Sequence, residues 1–174
     1  HPACETGKYA QSEGYDYLGS RSDGGFSEYV VAPTRNLLPV PGNVSLEEAS
    51  MTEPAAVALH AVRRGRVRLG DTVAVFGLGP IGLMVAQWLR ASGAGRILLF
   101  DVLDEKLDVA RNLGFDHVYN SRNVEPVDAV NAVTDGNGVH LAIEGAGVPP
   151  TMIAALQVTR RSGRVVLLGN PGSD

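Results

Sequence analysis

One stretch constrains the fold of this chain more than any other. Thr72-Val73-Ala74-Val75-Phe76 is a continuous apolar run, and Gly77-Leu78-Gly79-Pro80-Ile81-Gly82 follows it directly. The spacing is G-x-G-x-x-G between a strand-like run and a helix-like one. Gly77 allows the tight turn, Gly79 lets backbone approach a pyrophosphate, and Gly82 lets the following helix pack closely. The helix N-terminus adds unpaired N–H groups and the positive end of its dipole. Alone the pattern is weak. In this context a purely structural glycine turn is the poorer explanation. S-adenosylmethionine, bound on a related fold, is the rival ligand.

The flanking sequence predicts a repeated strand–helix alternation. Helix is expected over Ile81–Ser92, apolar nearly all round and hence buried. A second strand covers Arg96–Phe100 and an amphipathic helix Asp104–Leu113. The third strand covers Asp116–Asn120 and a polar helix Val127–Val133. The fourth is Val139–Ile143, followed by a helix over Pro150–Val158 and a fifth strand over Arg164–Leu168. Such alternation implies a parallel sheet covered by helices on both faces. The fold class is α/β, a doubly wound Rossmann-type sheet.

The N-terminal stretch reads differently. Residues 1–24 are polar, Gly-rich and loop-like, and Phe26–Val31 alternates like a strand. Asn36–Gly42 is extended up to a Pro-Gly turn. Ser45 and Glu48 have capping-box spacing, and Pro54 suits the first turn of a helix running to about Arg66. The boundary is placed between residues 43 and 44.

Asp101 stands 19 residues after Gly82, at the end of the second strand. A carboxylate there can accept hydrogen bonds from the adenosine ribose and repel a 2′-phosphate, which favours NAD over NADP. The net charge of −4 without runs of like charge speaks against nucleic-acid or anionic-membrane partners. One cysteine, Cys4, excludes an internal disulfide framework, and a reducing, cytoplasmic setting is expected. No run of about 18 apolar residues suggests a membrane span.

Several motifs carry a resemblance: Asp23-Gly24-Gly25-Phe26-Ser27-Glu28-Tyr29; Glu53-Pro54 with Val57-Ala58-Leu59-His60-Ala61; Gly70-Asp71-Thr72-Val73; Glu144-Gly145-Ala146-Gly147; and Gly163–Gly169. Together they resemble the zinc-dependent medium-chain alcohol/polyol dehydrogenases across essentially the whole chain. Tyr15–Arg21 and the Glu-Pro pair look most like the galactitol-1-phosphate and sorbitol dehydrogenases, with threonine dehydrogenases next.

The resemblance implies a protein about twice this length, of which this chain is a fragment. Residues 1–43 would be the tail of a GroES-like β catalytic domain. Residues 44–174 would be an NAD-binding domain with five of its six strands. Cofactor-binding residues carried over are Gly77, Leu78, Gly79, Pro80, Ile81, Gly82, Asp101, Lys106, Ala146 and Leu168. Lys106 would reach the adenosine ribose; Ile81, Val57, Ala146 and Leu168 would flank the nicotinamide. Glu53 would face the catalytic zinc, as catalytic residue and metal ligand, although on residue chemistry alone it is equally a carboxylate favouring a helix start. In the whole protein zinc would polarise a secondary alcohol, which passes hydride to the cofactor. The substrate is expected to be a small-molecule alcohol, polyol or polyol phosphate.

One carboxylate cannot hold zinc, so the fragment is expected neither to retain the catalytic ion nor to turn over substrate. The family's structural zinc uses four cysteines; Cys4 falls at one position, His1 and Ser12 at two others, so no structural zinc is expected and Cys4 is read as a free thiol. His60 is read as packed or hydrogen-bonded on its helix. Alternatives are a zinc-free quinone or enoyl reductase, a non-catalytic NAD-binding module, and a methyltransferase. A homo-oligomer remains open.

Overall fold

A computed structural model describes residues 2–171, apart from the side chains of Ala3 and Cys4. The expectations for His1 and for the thiol of Cys4 therefore lie outside the described residues. The chain divides into two compact units, His1–Leu46 and Glu47–Asp174.

The first unit has little regular structure. A short helix, α1 (Pro2–Glu5), precedes two single-turn 3-10 segments at Tyr9–Gln11 and Thr34–Asn36. Leu18 and Ser22 form an isolated bridge. Gly24 packs so tightly on Gly19 that a Cβ would come 2.4 Å from the Gly19 Cα. The Pro-Gly turn is closed by Val44 N–H to the Pro41 carbonyl, 3.0 Å. The strand expected over Phe26–Val31 is absent. Alternation supplies a face, but a strand also needs a ladder partner. Among the described residues none pairs with this segment, and Phe26, Tyr29 and Val31 stand exposed.

The second unit opens with α2 (Leu46–Ser50) and α3 (Thr52–Gly65). It then alternates through β1 (Thr72–Phe76), α4 (Pro80–Ala91), β2 (Arg96–Asp101), α5 (Asp104–Asn112), β3 (His117–Asn120), α6 (Pro126–Thr134), β4 (Val139–Glu144), α7 (Pro149–Val158) and β5 (Thr159–Leu167). The strands form one parallel sheet in the order β3-β2-β1-β4-β5. This is a Rossmann-like α/β fold.

Two apolar layers explain the continuous hydrophobic strands. Val73 and Val75 of β1 pack with Val62 of α3, Val85 and Leu89 of α4 and Leu107 of α5. Ala74 and Phe76 point into the other layer with Val130 of α6 and Ala155 and Val158 of α7. In that layer Phe76 stacks on Phe100 with centroids 4.9 Å apart, and Phe100 on Tyr119 at 5.3 Å. β1 is therefore buried on both faces, as a central parallel strand must be. The order reverses at β1, whose neighbours are β2 and β4. The crevice above the C-terminal ends of these strands is the switch point where such sheets bind ligands.

Two further expectations need correction. α4 is not buried all round: Gln87 and Trp88 face outward, and the Trp88 indole N–H finds the Ala55 carbonyl at 3.1 Å. Its apolar circumference is wider than the face that α3 and the sheet can cover. β5 starts at Thr159 rather than Arg164, because a bulge lets Thr159 pair with Val139 before Arg164 pairs with Leu141. Ser162, with φ +60°, carries the turn of that bulge.

Candidate functional site

The glycine loop joins β1 to α4 at the switch point. Gly77 has φ +90°, and a Cβ there would lie 2.7 Å from the Ala146 backbone nitrogen, so glycine is required twice over. A Cβ on Gly82 would collide with the Gly77 carbonyl oxygen at 1.9 Å; the partner it packs on is the loop itself. Gly79 differs. It is the N-cap of α4 with ordinary extended backbone (φ −65°, ψ −179°), and a Cβ would meet nothing within 4 Å. Two glycines compact the loop and the third leaves open space at a helix N-terminus. Pro80 takes the first helical position, where its missing N–H costs nothing. The first-turn N–H groups of Ile81 and Gly82 have no acceptor within the helix. This is a cradle for an anion. Leu78 is fully buried and anchors the loop in the core.

Asp101 closes β2, opposite Asn120 of β3. Its Oδ2 accepts the Leu78 N–H at 2.7 Å, and Oδ1 accepts those of Val102 and Leu103 at 2.7 and 3.0 Å. The Lys106 ammonium stands 3.6 Å from Oδ2, so Asp101 and Lys106 are brought together beside the loop. The first duty of Asp101 is thus to pin the glycine loop and the entry to α5. The spacing of the motif gave no sign of this.

Ala146 lies beside Gly77 just beyond β4, exposed, and Leu168 just beyond β5, half-buried. Ile81 and Val57 are half-buried on α4 and α3. Glu53 is exposed in the first turn of α3. Among the described residues no group of three or more His, Cys, Asp or Glu side chains is placed to hold a metal, so Glu53 has no co-ligands here. His60 is exposed, with no hydrogen bond among the described residues, contrary to the packed role expected of it. His60 directly precedes buried Ala61, and consecutive helix residues point about 100° apart, so one can face solvent while the other packs. Glu144 was missed as a candidate. Its signal was an acid directly after the apolar run Leu141-Ala142-Ile143 at the end of a buried strand.

The model of the zinc-binding dehydrogenase family matches residues 80–174, more than half of the chain. The chain belongs to the zinc-binding dehydrogenase family. Among curated relatives it is 32% identical over 173 residues to a sorbitol dehydrogenase of Bacillus subtilis, covering 99% of this chain and 49% of that protein. It is equally identical to the galactitol 1-phosphate 5-dehydrogenase of Escherichia coli, covering 99% and 50%. This chain spans about half the length of the curated relatives it matches. Among solved structures, a zinc-binding dehydrogenase of Sinorhizobium meliloti bound to NADP superposes with TM-score 0.90 at 29% identity, covering 99% of this chain and 51% of that one. An alcohol dehydrogenase of E. coli CFT073 complexed with NADH gives 0.88 at 32% identity, covering 99% and 50%.

Proposed function

We propose that the second unit is the NAD-binding part of a dehydrogenase that oxidises a secondary alcohol of a polyol or polyol phosphate to a ketone. The observation that carries this reading is the contrast within the glycine loop: Gly77 and Gly82 are filled by their own neighbours, and Gly79 is open at the N-terminus of α4. A cofactor pyrophosphate fits that opening, held by first-turn N–H groups and the helix dipole. Gly77, Leu78, Pro80 and Ile81 shape the loop around it. Asp101 would accept a ribose hydroxyl with the remaining Oδ2 lone pair, and Lys106 would reach the same sugar. The carboxylate then disfavours a 2′-phosphate, which selects NAD over NADP. Ala146 and Leu168 would flank the nicotinamide. The cofactor supplies the hydride chemistry, and the residues here bind and orient it. The first unit is read as the end of the GroES-like catalytic domain.

Zinc does not fit the described residues alone, since Glu53 has no co-ligands among them. No step is therefore routed through it, and Glu53 is proposed only as a carboxylate facing the metal in the whole protein. The outer edge of β5 has no partner strand among the described residues. It offers an open ladder through which copies could associate.

Calorimetric titration of the chain with NAD, NADP and S-adenosylmethionine tests this reading. NAD should bind with clear preference. NADP binding as tightly would refute the ribose role of Asp101, and S-adenosylmethionine binding instead would refute the dehydrogenase reading.

A further inference from the structure

β4 ends on a carboxylate that the cofactor reading leaves unused. Glu144 is fully buried. Its Oε1 accepts the N–H groups of Ala146 and Gly147, both at 2.8 Å, and lies 2.7 Å from the Thr151 hydroxyl. Its Oε2 is equally buried and has no hydrogen-bond partner among the described residues. The Glu144 carbonyl accepts from Leu168 and Gly169, at 2.8 and 3.0 Å. A Cβ on Gly169 would come 2.3 Å from the Gly147 nitrogen and 2.7 Å from Oε2. On the other side, the Gly145 N–H donates to the Phe76 carbonyl at 2.8 Å, and Gly77 abuts Ala146. Glu144 thus joins the loops leaving β4 and β5, and its neighbours Gly145 and Ala146 meet the loop leaving β1.

Leaving a buried carboxylate oxygen unpaired is costly, and such penalties persist where the surrounding structure over-determines the geometry, most often at functional sites. The position says which function. With a pyrophosphate at α4 and a ribose toward Asp101 on the β2 side, the rest of a dinucleotide must leave across β1, over the ends of β4 and β5. The surfaces it meets there are the Ala146–Gly147 turn, bonded to the Glu144 carboxylate, and the Leu168–Gly169 turn, bonded to its main-chain carbonyl.

We propose that Glu144 is a positioning residue for the nicotinamide half of the cofactor. Its carboxylate holds the Ala146–Gly147 turn in one shape and packs against Gly169 of the other turn, while the adenosine half binds independently of it. This rests on the dinucleotide reading. The test compares NADH with ADP-ribose, which lacks the nicotinamide, on the wild-type chain, Glu144→Gln and Thr151→Val, by calorimetry and NADH fluorescence. Glutamine keeps the size but offers one acceptor oxygen and places an NH2 group at the crowded second position. Glu144→Gln should weaken NADH about tenfold and leave ADP-ribose within twofold. Thr151→Val, a milder change that decides the matter if Glu144→Gln does not fold, should move NADH about threefold in the same selective way. The proposal is overturned if both ligands weaken alike, if neither variant changes NADH binding, or if wild type binds NADH no tighter than ADP-ribose. If wild type binds neither ligand, the dinucleotide reading itself fails, visibly in the wild-type titration alone, and the proposal falls with it.

Discussion

Substituting Gly82 and Gly79 by alanine separates what the glycine loop does for the fold from what it does for a ligand. At Gly82 the new Cβ would sit 1.9 Å from the Gly77 oxygen and 3.0 Å from its carbon, where ordinary contact begins at 3.4 Å. The obstacle is backbone on both sides, so α4 or the loop must give by about 1.5 Å. Overpacking costs about 1–3 kcal/mol, and rigid backbone puts this site near the top of that range. Alanine returns about 1 kcal/mol through its higher helix propensity. The net loss is therefore about 2 kcal/mol, or roughly 8 °C in Tm for a unit of this size. Gly79→Ala meets nothing within 4 Å and its backbone angles suit alanine. A weaker N-cap and a stiffer unfolded chain nearly cancel, leaving stability within about 0.5 kcal/mol of wild type. Its methyl would however stand where the pyrophosphate is proposed to lie, and NADH affinity should fall at least tenfold, about 1.4 kcal/mol. Thermal melts and NADH titrations of both variants give four numbers. A Gly82→Ala chain melting within 1 °C of wild type would refute the close-packing argument. A Gly79→Ala chain binding NADH as wild type does would refute the placement of the phosphates.

Three other outcomes are expected. Asp101→Ala leaves the buried Leu78 N–H without its 2.7 Å acceptor, so that amide should lose hydrogen-exchange protection; stability should fall by about 2–3 kcal/mol. Unchanged protection at Leu78 would show that the loop does not depend on Asp101. Arg164 joins the Arg66 carbonyl at 2.6 Å to the Asp71 carboxylate at 3.0 Å. Arg164→Ala should cost about 1–2 kcal/mol in thermal melts, and Arg164→Lys should recover little, because an ammonium lacks the fork that spans both acceptors. The Nδ1 of His140 lies 3.1 Å from the Thr72 nitrogen and must accept its hydrogen. Nitrogen-15 NMR should then find the Nε2–H tautomer, and the Nδ1–H tautomer would contradict the hydrogen bond.

The second unit was legible because its central strands, β1 and β2, are buried on both faces. Val73-Ala74-Val75-Phe76 and Ile97-Leu98-Leu99-Phe100 have no polar residue to confuse the reading, and α4, α6 and α7 open with proline. Boundaries moved where polar side chains belong to the strand. Asp101 and Glu144 extend β2 and β4 by one residue each, since their carboxylates fold back onto loop amides instead of reaching water. The N-terminal unit was misread at Phe26–Val31 for the opposite reason. Alternation is local, but a strand exists only through a partner, and no local pattern states whether one is present.

The two acids also show why the site was only half legible. A motif fixes where glycines must be, because a missing Cβ is a property of one position. It does not state what an acidic residue nearby is bonded to. Asp101 matches a ribose-binding pattern, yet three backbone N–H groups already hold its carboxylate. Glu144 matches no chemical pattern, yet it takes two backbone N–H groups and lies beside a hydroxyl in the same way. Both are loop anchors at the C-terminal edge of the sheet, one on each side of β1. If Asp101 shapes the adenosine side and Glu144 the nicotinamide side, affinity and stability are coupled at both. A substitution at either must then be judged by how it divides between ligand halves. A loss of binding that falls equally on both halves reports unfolding of the loops, and only an unequal loss reports recognition.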